Sequence, residues 1–185
     1  MINFVKKITN VYKMLKNKHI SLRPIELEDL NILYKWENNP NLWEVSNTIV
    51  PFSKYILEKY LENSHLDIFT TKQIRFVIEE NESKKAVGLI DIFDFEPMHN
   101  RAGIGILIYE ENDRQNGFAY NALELIKNYA SQVLMLNQIY CDISEDNTAS
   151  IKLFKKSGFK ISGKKEKWIK TPQGYKDELF LQFIF

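Results

Sequence analysis

Between residues 72 and 111 the chain alternates apolar and polar residues almost without a break, in the runs KQIRFVIEE, KAVGLIDIFDFEP and RAGIGILIYEE. A period of two places successive side chains on opposite faces of an extended chain, so these runs read as strands. The first two flank NESK, a turn-forming stretch, and make a β-hairpin; the third follows as a further strand. A chain with this centre must fold around a sheet, and what remains to be found is what covers it.

Helical spacing flanks the strands on both sides. ELEDLNILYKWENN carries Leu27, Leu30, Ile32, Leu33 and Trp36 on one broad apolar face, with acids in the first turn where they suit the helix dipole. SKYILEKYLENSH, residues 53 to 65, reads as a second helix with Ser53 as its N-cap. NPNLWEVSNTIVPF, between them, reads as a loop, and ISLRPI (20 to 25) as an opening strand. Beyond the centre come a helix over about 117 to 133, the strand QIYCDIS, the helix TASIKLFKKS and a terminal hairpin turning at TPQG. The order β-α-α-β-β-β-α-β-α-β-β predicts a single α/β (α+β) domain: a mixed, mostly antiparallel sheet with helices on both faces.

At 185 residues the chain is long enough for one domain with a real core. Its 25 basic residues barely outnumber its 24 acidic ones, which excludes nucleic acid as the main partner. A single cysteine, Cys141, excludes an internal disulfide and a cysteine-cluster metal site, and its alternating surroundings predict a small buried strand residue. No apolar run approaches the ~18 residues of a membrane span, and the basic N-terminus lacks an unbroken apolar stretch and a cleavage site. A cytoplasmic protein is expected. Residues 1–19 read as an N-terminal extension in which Phe4, Ile8, Tyr12 and Leu15 fall at helical spacing, and residues 20–185 as the domain proper.

DRQNGFAYNAL, residues 113 to 123, is where chemistry enters. It joins a strand to a helix through Gly117, which can adopt backbone shapes closed to other residues and bring N–H groups near a ligand. The first N–H groups of a helix have no partner within it and sit at the positive end of its dipole, so such a turn suits phosphate. Arg114 is expected to add a charge-assisted contact. No Gly-Lys-Ser/Thr follows, which excludes a nucleotide-triphosphate P-loop; the three glycines and distal acid of a dinucleotide site are missing as well. Some thirty residues on, in EDNTASIKLFKKSGF, Asn147 is a natural N-cap. Gly158 fits the left-handed position just past the helix end, with Phe159 supplying the accompanying apolar contact.

Together and in this order the two elements resemble the GNAT acetyltransferase superfamily. Its signature Arg/Gln-x-x-Gly-x-Gly/Ala is matched by Arg114, Gly117 and Ala119; Asn-x-x-Ala/Ser-x-x-Leu-Tyr-x-x-x-Gly-Phe is matched by Asn147, Ser150, Leu153, Gly158 and Phe159. The likeness runs from about residue 20 to the end, and within the superfamily it leans toward the ribosomal-protein N-terminal and the spermidine acetyltransferases. It implies acetyl-CoA as cosubstrate and no metal. The pyrophosphate would lie on backbone N–H groups from Gln115, Asn116, Gly117, Phe118, Ala119 and Tyr120, and the pantetheine arm along Ile106, Leu107 and Ile108. Asn147 and Phe154 would meet the cofactor from the next helix. The acceptor would be a primary amine, on a small molecule or a protein N-terminus, and a homodimer is the assembly envisaged.

Acetyl transfer to an amine needs a neutral nucleophile although a free alkylamine has a pKa of roughly 10.4. It also needs two reactants held in place, N–H donors for the developing oxyanion, and a proton for the departing thiolate. Two departures mark this chain. Phe154 stands where many relatives place a proton-donating Tyr, which leaves Ser150, or Tyr109, Tyr120 or water. Gly103 stands where relatives carry a glutamate, which leaves Asp91 and Asp94, expected on opposite faces of their strand, and a polar loop residue, His99. Trp36, Glu37, Trp43 and Glu44 gather where the acceptor is expected, and aromatics with acids suit a cationic amine. A non-catalytic acyl-CoA-binding or regulatory domain, and a structural subunit, are the competing expectations.

Overall fold

The computed structural model describes residues 13–46 and 48–185, without the side chains of Glu44, Val45 and His65. Seven strands form one sheet: β1 (Ile20–Pro24), β2 (Ile74–Glu80), β3 (Ala86–Glu96), β4 (Arg101–Ile108), β5 (Gln138–Ser144), β6 (Lys160–Thr171) and β7 (Gly174–Ile184). Their order is β1-β2-β3-β4-β5-β7-β6, and every neighbouring pair is antiparallel except β4 and β5. The expected mixed, mostly antiparallel sheet is what the chain forms.

Among the described residues beyond 19, the α-helices are α1 (Leu30–Glu37), α2 (Trp43–Ser46), α3 (Lys54–Glu62), α4 (Ile68–Thr71), α5 (Phe118–Gln132) and α6 (Thr148–Lys156). Helices cover both faces. On one, Ala122, Leu123 and Ile126 of α5 and Phe154 of α6 pack against Ile78, Ile90, Ile92 and Ile104. On the other, Leu33 and Trp36 of α1 and Leu57 and Leu61 of α3 pack against Val77, Leu89 and Tyr109. Alternation along β2–β4 therefore feeds two cores, as expected for a sheet buried on both sides.

Local signals in the sequence are realised at the ends of the elements. Ser53 caps α3 through Ile56 N, and Asn147 caps α6 through Ser150 N at 3.1 Å. Gly158 takes φ +93°, and Phe159 packs edge-on to Phe154 with centroids 4.9 Å apart. Cys141 is buried, and burial pushes its thiol well above the ordinary range. The expected loop over 39–52 instead contains a 3-10 turn (Pro40–Leu42) and α2: Asn39 caps the turn through Asn41 N and Pro40 sits at its start. Helix α4, capped by Asp67, had no periodicity to announce it. Leu27 is exposed because the first helix opens as a 3-10 turn (Leu27–Asp29) before α1 begins.

Residues 13–19 are knitted to the domain. Leu15 belongs to the main core, its carbonyl accepts from Leu22 N–H at 2.7 Å, and Asn17 reaches α5. Phe4, Ile8 and Tyr12 lie outside the described residues. No helix among the described residues is long and apolar enough to cross a membrane.

Candidate active site

β4 and β5 pair only through Arg101–Gln138, Ala102–Ile139 and Gly103–Tyr140, and beyond them the two parallel strands part. Tyr109 N–H donates to Val87 O on β3. By alternation Leu107 directs its backbone groups to β3, whereas Ile104, Ile106 and Ile108 direct theirs to the open side. Ile106 thus offers an N–H and a carbonyl to the gap, while Ile108 and Leu107 pack into opposite cores.

The loop from β4 to α5 is fixed at several points. Both Asp113 oxygens accept from Lys85 Nζ at 2.7 Å, and Asn116 Nδ2 donates to Asn112 O. Gln115 takes φ +65° and Gly117 φ +81°, so the chain turns through two left-handed residues into the helix. Each backbone N–H from Gln115 through Tyr120 lacks an acceptor among the described residues; Asn121 N is the first to be used, donating to Gly117 O at 3.0 Å. Such a run of open donors at a helix start forms an anion-binding concavity. Lys156 Nζ lies 4.8 Å from the Tyr120 ring centre and adds positive charge beside it.

One expected contact is placed differently. Arg114 donates through Nε to Ile108 O (3.1 Å) and through Nη2 to Tyr109 O (3.3 Å). A guanidinium is well satisfied by carbonyls exposed where a strand ends, so Arg114 holds the turn to β4 rather than reaching over it. Phe118 is buried, so its backbone alone is available. Ala119 is half-buried beside it.

On the α1–α3 face, Asp91 lies opposite Gly105, and Gly103 follows on the same side. Neither glycine projects a side chain. A Cβ at Gly103 would come within 2.4 Å of the Phe93 ring. That ring fills the space a side chain at position 103 would take.

Asp91 itself is engaged. Arg75 grips it through Nε–Oδ1 (2.7 Å) and Nη2–Oδ2 (3.0 Å) and holds Glu37 through Nη1–Oε1 (3.1 Å). All three side chains are at most one-fifth exposed. The Tyr60 ring lies 5.4 Å from the guanidinium. Burial would lower the Arg75 pKa, but Asp91 and Glu37 outweigh it, so the guanidinium stays charged. Burial holds the Glu37 carboxyl above the usual carboxylate range, with Arg75 opposing it. Arg75 escaped the sequence reading because a basic residue on an alternating strand looks like a solvated one.

Asp94 does not follow strict alternation. A β-bulge between Phe93 and Glu96 puts it at φ +48°, exposed, with its carboxylate 3.4 Å from the Tyr140 hydroxyl. Trp36 is buried and stacked on Tyr109 (4.1 Å, 5°), so it is core rather than a wall for substrate. Trp43 is half-buried and donates its indole N–H to Glu37 O. The Glu44 side chain lies outside those described. His99 is exposed.

On α6, Phe154 is buried in the core, and Ser150 is half-buried with a hydroxyl that bonds no described residue. Among the described residues no group of three His, Cys, Asp or Glu could hold a metal ion.

Comparison with known proteins agrees with this geometry. The family described as "Acetyltransferase (GNAT) domain" matches residues 19–160. The spermidine N(1)-acetyltransferase of Escherichia coli (strain K12) is 29% identical over 147 residues, 78% of this chain and 74% of that protein. Its Vibrio cholerae counterpart is 27% identical over 150 residues, 80% and 82% of the two. A crystal structure of V. cholerae spermidine N-acetyltransferase with CoA and spermine superposes with a TM-score of 0.80 at 24% identity, covering 91% of this chain and 96% of that one. The parted strands and the open glycine turn fit coenzyme A, the one for an extended amide arm and the other for its pyrophosphate. The chain belongs to the GNAT acetyltransferase family and is an acetyl-CoA-dependent N-acetyltransferase.

Proposed function

We propose that the enzyme transfers acetyl directly to a primary amine of a small polyamine, spermidine or a close analogue. The Glu37–Arg75–Asp91 group carries this reading: two carboxylates against one guanidinium leave an excess of negative charge on the acceptor side. The names of the curated relatives support the same acceptor. A protein N-terminus is the second acceptor class; it brings a single ammonium, where a polyamine brings several. The V. cholerae relative is described in a dodecameric structure, and we extend the expectation of a homodimer to a larger homo-oligomer. We assign the enzyme to the cytoplasm, where a lone buried thiol such as Cys141 stays reduced.

Acetyl-CoA supplies an activated thioester. The N–H groups from Gln115 to Tyr120 hold its pyrophosphate, the open edge at Ile106 pairs with its arm, and Asn147 lies at the start of the adjoining helix. An Ile106 N–H donor would steady the thioester oxygen as it gains charge. Glu37, with its raised pKa, accepts the proton of the incoming ammonium at its carboxylate, helped by Asp91 as a fixed counter-charge. As the C–N bond forms and the C–S bond breaks, the Ser150 hydroxyl donates to the departing sulfur and regains the proton that the attacking nitrogen sheds, in place of the tyrosine that Phe154 replaces. Asp94 guides the cationic chain from the rim.

Gly117→Val is expected to weaken CoA binding at least tenfold, about 1.4 kcal/mol, in a protein that still folds. Space is not the obstacle, since a Cβ there meets nothing closer than Asn121 Nδ2 at 3.6 Å; the left-handed backbone is. Calorimetry with CoA checks it, and an unchanged affinity removes the pyrophosphate assignment.

Glu37→Gln tests the acceptor assignment. It should lower kcat/KM for spermidine about 100-fold and leave KM for acetyl-CoA unchanged. Glu37 works deprotonated, so wild-type kcat/KM should fall as pH drops through its raised pKa, and the variant should lose that limb. A variant with wild-type kinetics at low salt shows that Glu37 only supports the fold.

A further inference from the structure

Gly117 opens α5 without a side chain to cap it, yet its carbonyl is held twice. Asn121 N donates to it at 3.0 Å and Asn121 Nδ2 at 2.9 Å. The peptide unit between Gly117 and Phe118 is planar, with its C=O and N–H pointing in opposite directions. Clamping the carbonyl therefore aims the Phe118 N–H, one of the open donors, out of the helix.

Asn121 is held in turn. Its Oδ1 accepts from Asn17 Nδ2 at 2.9 Å, across 104 residues of sequence. Asn17 Oδ1 accepts from His19 N (2.8 Å) and Ile20 N (2.9 Å), which closes the turn leading into β1. Asn81 Nδ2 donates to Asn17 O at 2.8 Å and ties that turn to the β2–β3 hairpin. Both hydrogen-bonding ends of the Asn17 amide are thus used, and so are both ends of Asn121.

We propose that Asn121 and Asn17 are positioning residues for the cofactor, a relay by which the segment ahead of β1 sets the donor direction of the Gly117 turn. Asn17 stands just ahead of residues 19–160, the part that matches the family, so this support comes from the lead-in to β1. The proposal rests on the reading that the turn takes the pyrophosphate of CoA.

The test is calorimetry of CoA on the full chain, with melting temperatures taken in parallel. Asn121→Ala frees the Gly117 carbonyl from its side-chain partner. Asn17→Ser keeps an oxygen that can close the turn into β1 but removes the donor to Asn121. Each is expected to weaken CoA about three- to tenfold, to raise KM for acetyl-CoA, and to leave KM for spermidine alone. The double variant should bind no more weakly than the worse single one, because the two side chains act in series. Folded Asn17→Ser with wild-type CoA affinity overturns the relay, whatever its melting temperature, and so do two losses that add. If Gly117→Val binds CoA normally in the same series, the pyrophosphate reading falls, and the relay has no ligand to serve. Loss in Gly117→Val with neither asparagine variant affected leaves that reading standing and refutes the relay alone.

Discussion

Arg75→Met is expected to cost the fold about 3–5 kcal/mol at neutral pH, the range for removing one partner of a buried ion pair. Its guanidinium makes three charge-assisted bonds, two to Asp91 and one to Glu37, in a site where none of the three side chains is more than one-fifth exposed. Methionine keeps much of the volume but leaves two carboxylates facing each other without a counter-charge. They would respond by holding protons, so their folded pKa values would rise above the unfolded ones. A raised carboxylate pKa means that stability is lost as pH climbs from the unfolded value through the folded one. The deficit should therefore be small near pH 4 and full by pH 8. Urea unfolding at both pH values measures it. A deficit below about 1 kcal/mol at pH 8, or one that does not grow with pH, contradicts the ion-network account.

Phe154→Ala should be as costly, about 3–5 kcal/mol, for a different reason. The ring is buried in the larger core and meets Phe159 edge-on at 4.9 Å, so truncation leaves a cavity and forfeits an aromatic pair. Against a total domain stability of about 5–15 kcal/mol that is a large share. At a temperature where the variant remains folded, CoA binding and turnover should persist, because this position packs rather than donates. Phe154→Tyr should keep or raise turnover. A folded Phe154→Ala enzyme that binds CoA normally and has no activity would show that the ring takes part in the chemistry.

What could be read from the sequence was what depends on neighbours along the chain. β5 and α6, with Asn147 before the helix and Gly158 after it, follow from period, cap and turn chemistry within a few residues. The Gly117 turn is legible for the same reason, down to which N–H groups stay open. The rest depends on residues brought together by the sheet. Nothing in RFVIE says that Arg75 will find Asp91 across the hairpin and Glu37 from α1, or that this will turn two independent acids into one buried group. Phe93 covering Gly103 is equally silent, since a glycine in a strand does not announce which ring will lie over it. The bulge that re-aims Asp94 breaks the alternation on which its placement rested. Arg114 faces the other way because the end of β4 offers it two carbonyls, and Asn17 meets Asn121 only once β1 and α5 lie side by side.

We propose that acetyl moves from acetyl-CoA to a polyamine at a site whose charge comes from Glu37, Arg75 and Asp91. The most direct test is the initial rate of thiol release from acetyl-CoA with spermidine, spermine, free amino acids, aminoglycosides and short peptides with free N-termini, at one enzyme concentration and low salt. The highest kcat/KM is expected with a polyamine, falling as salt screens the acceptor site. A peptide N-terminus preferred over every polyamine, with a rate indifferent to salt, would contradict it.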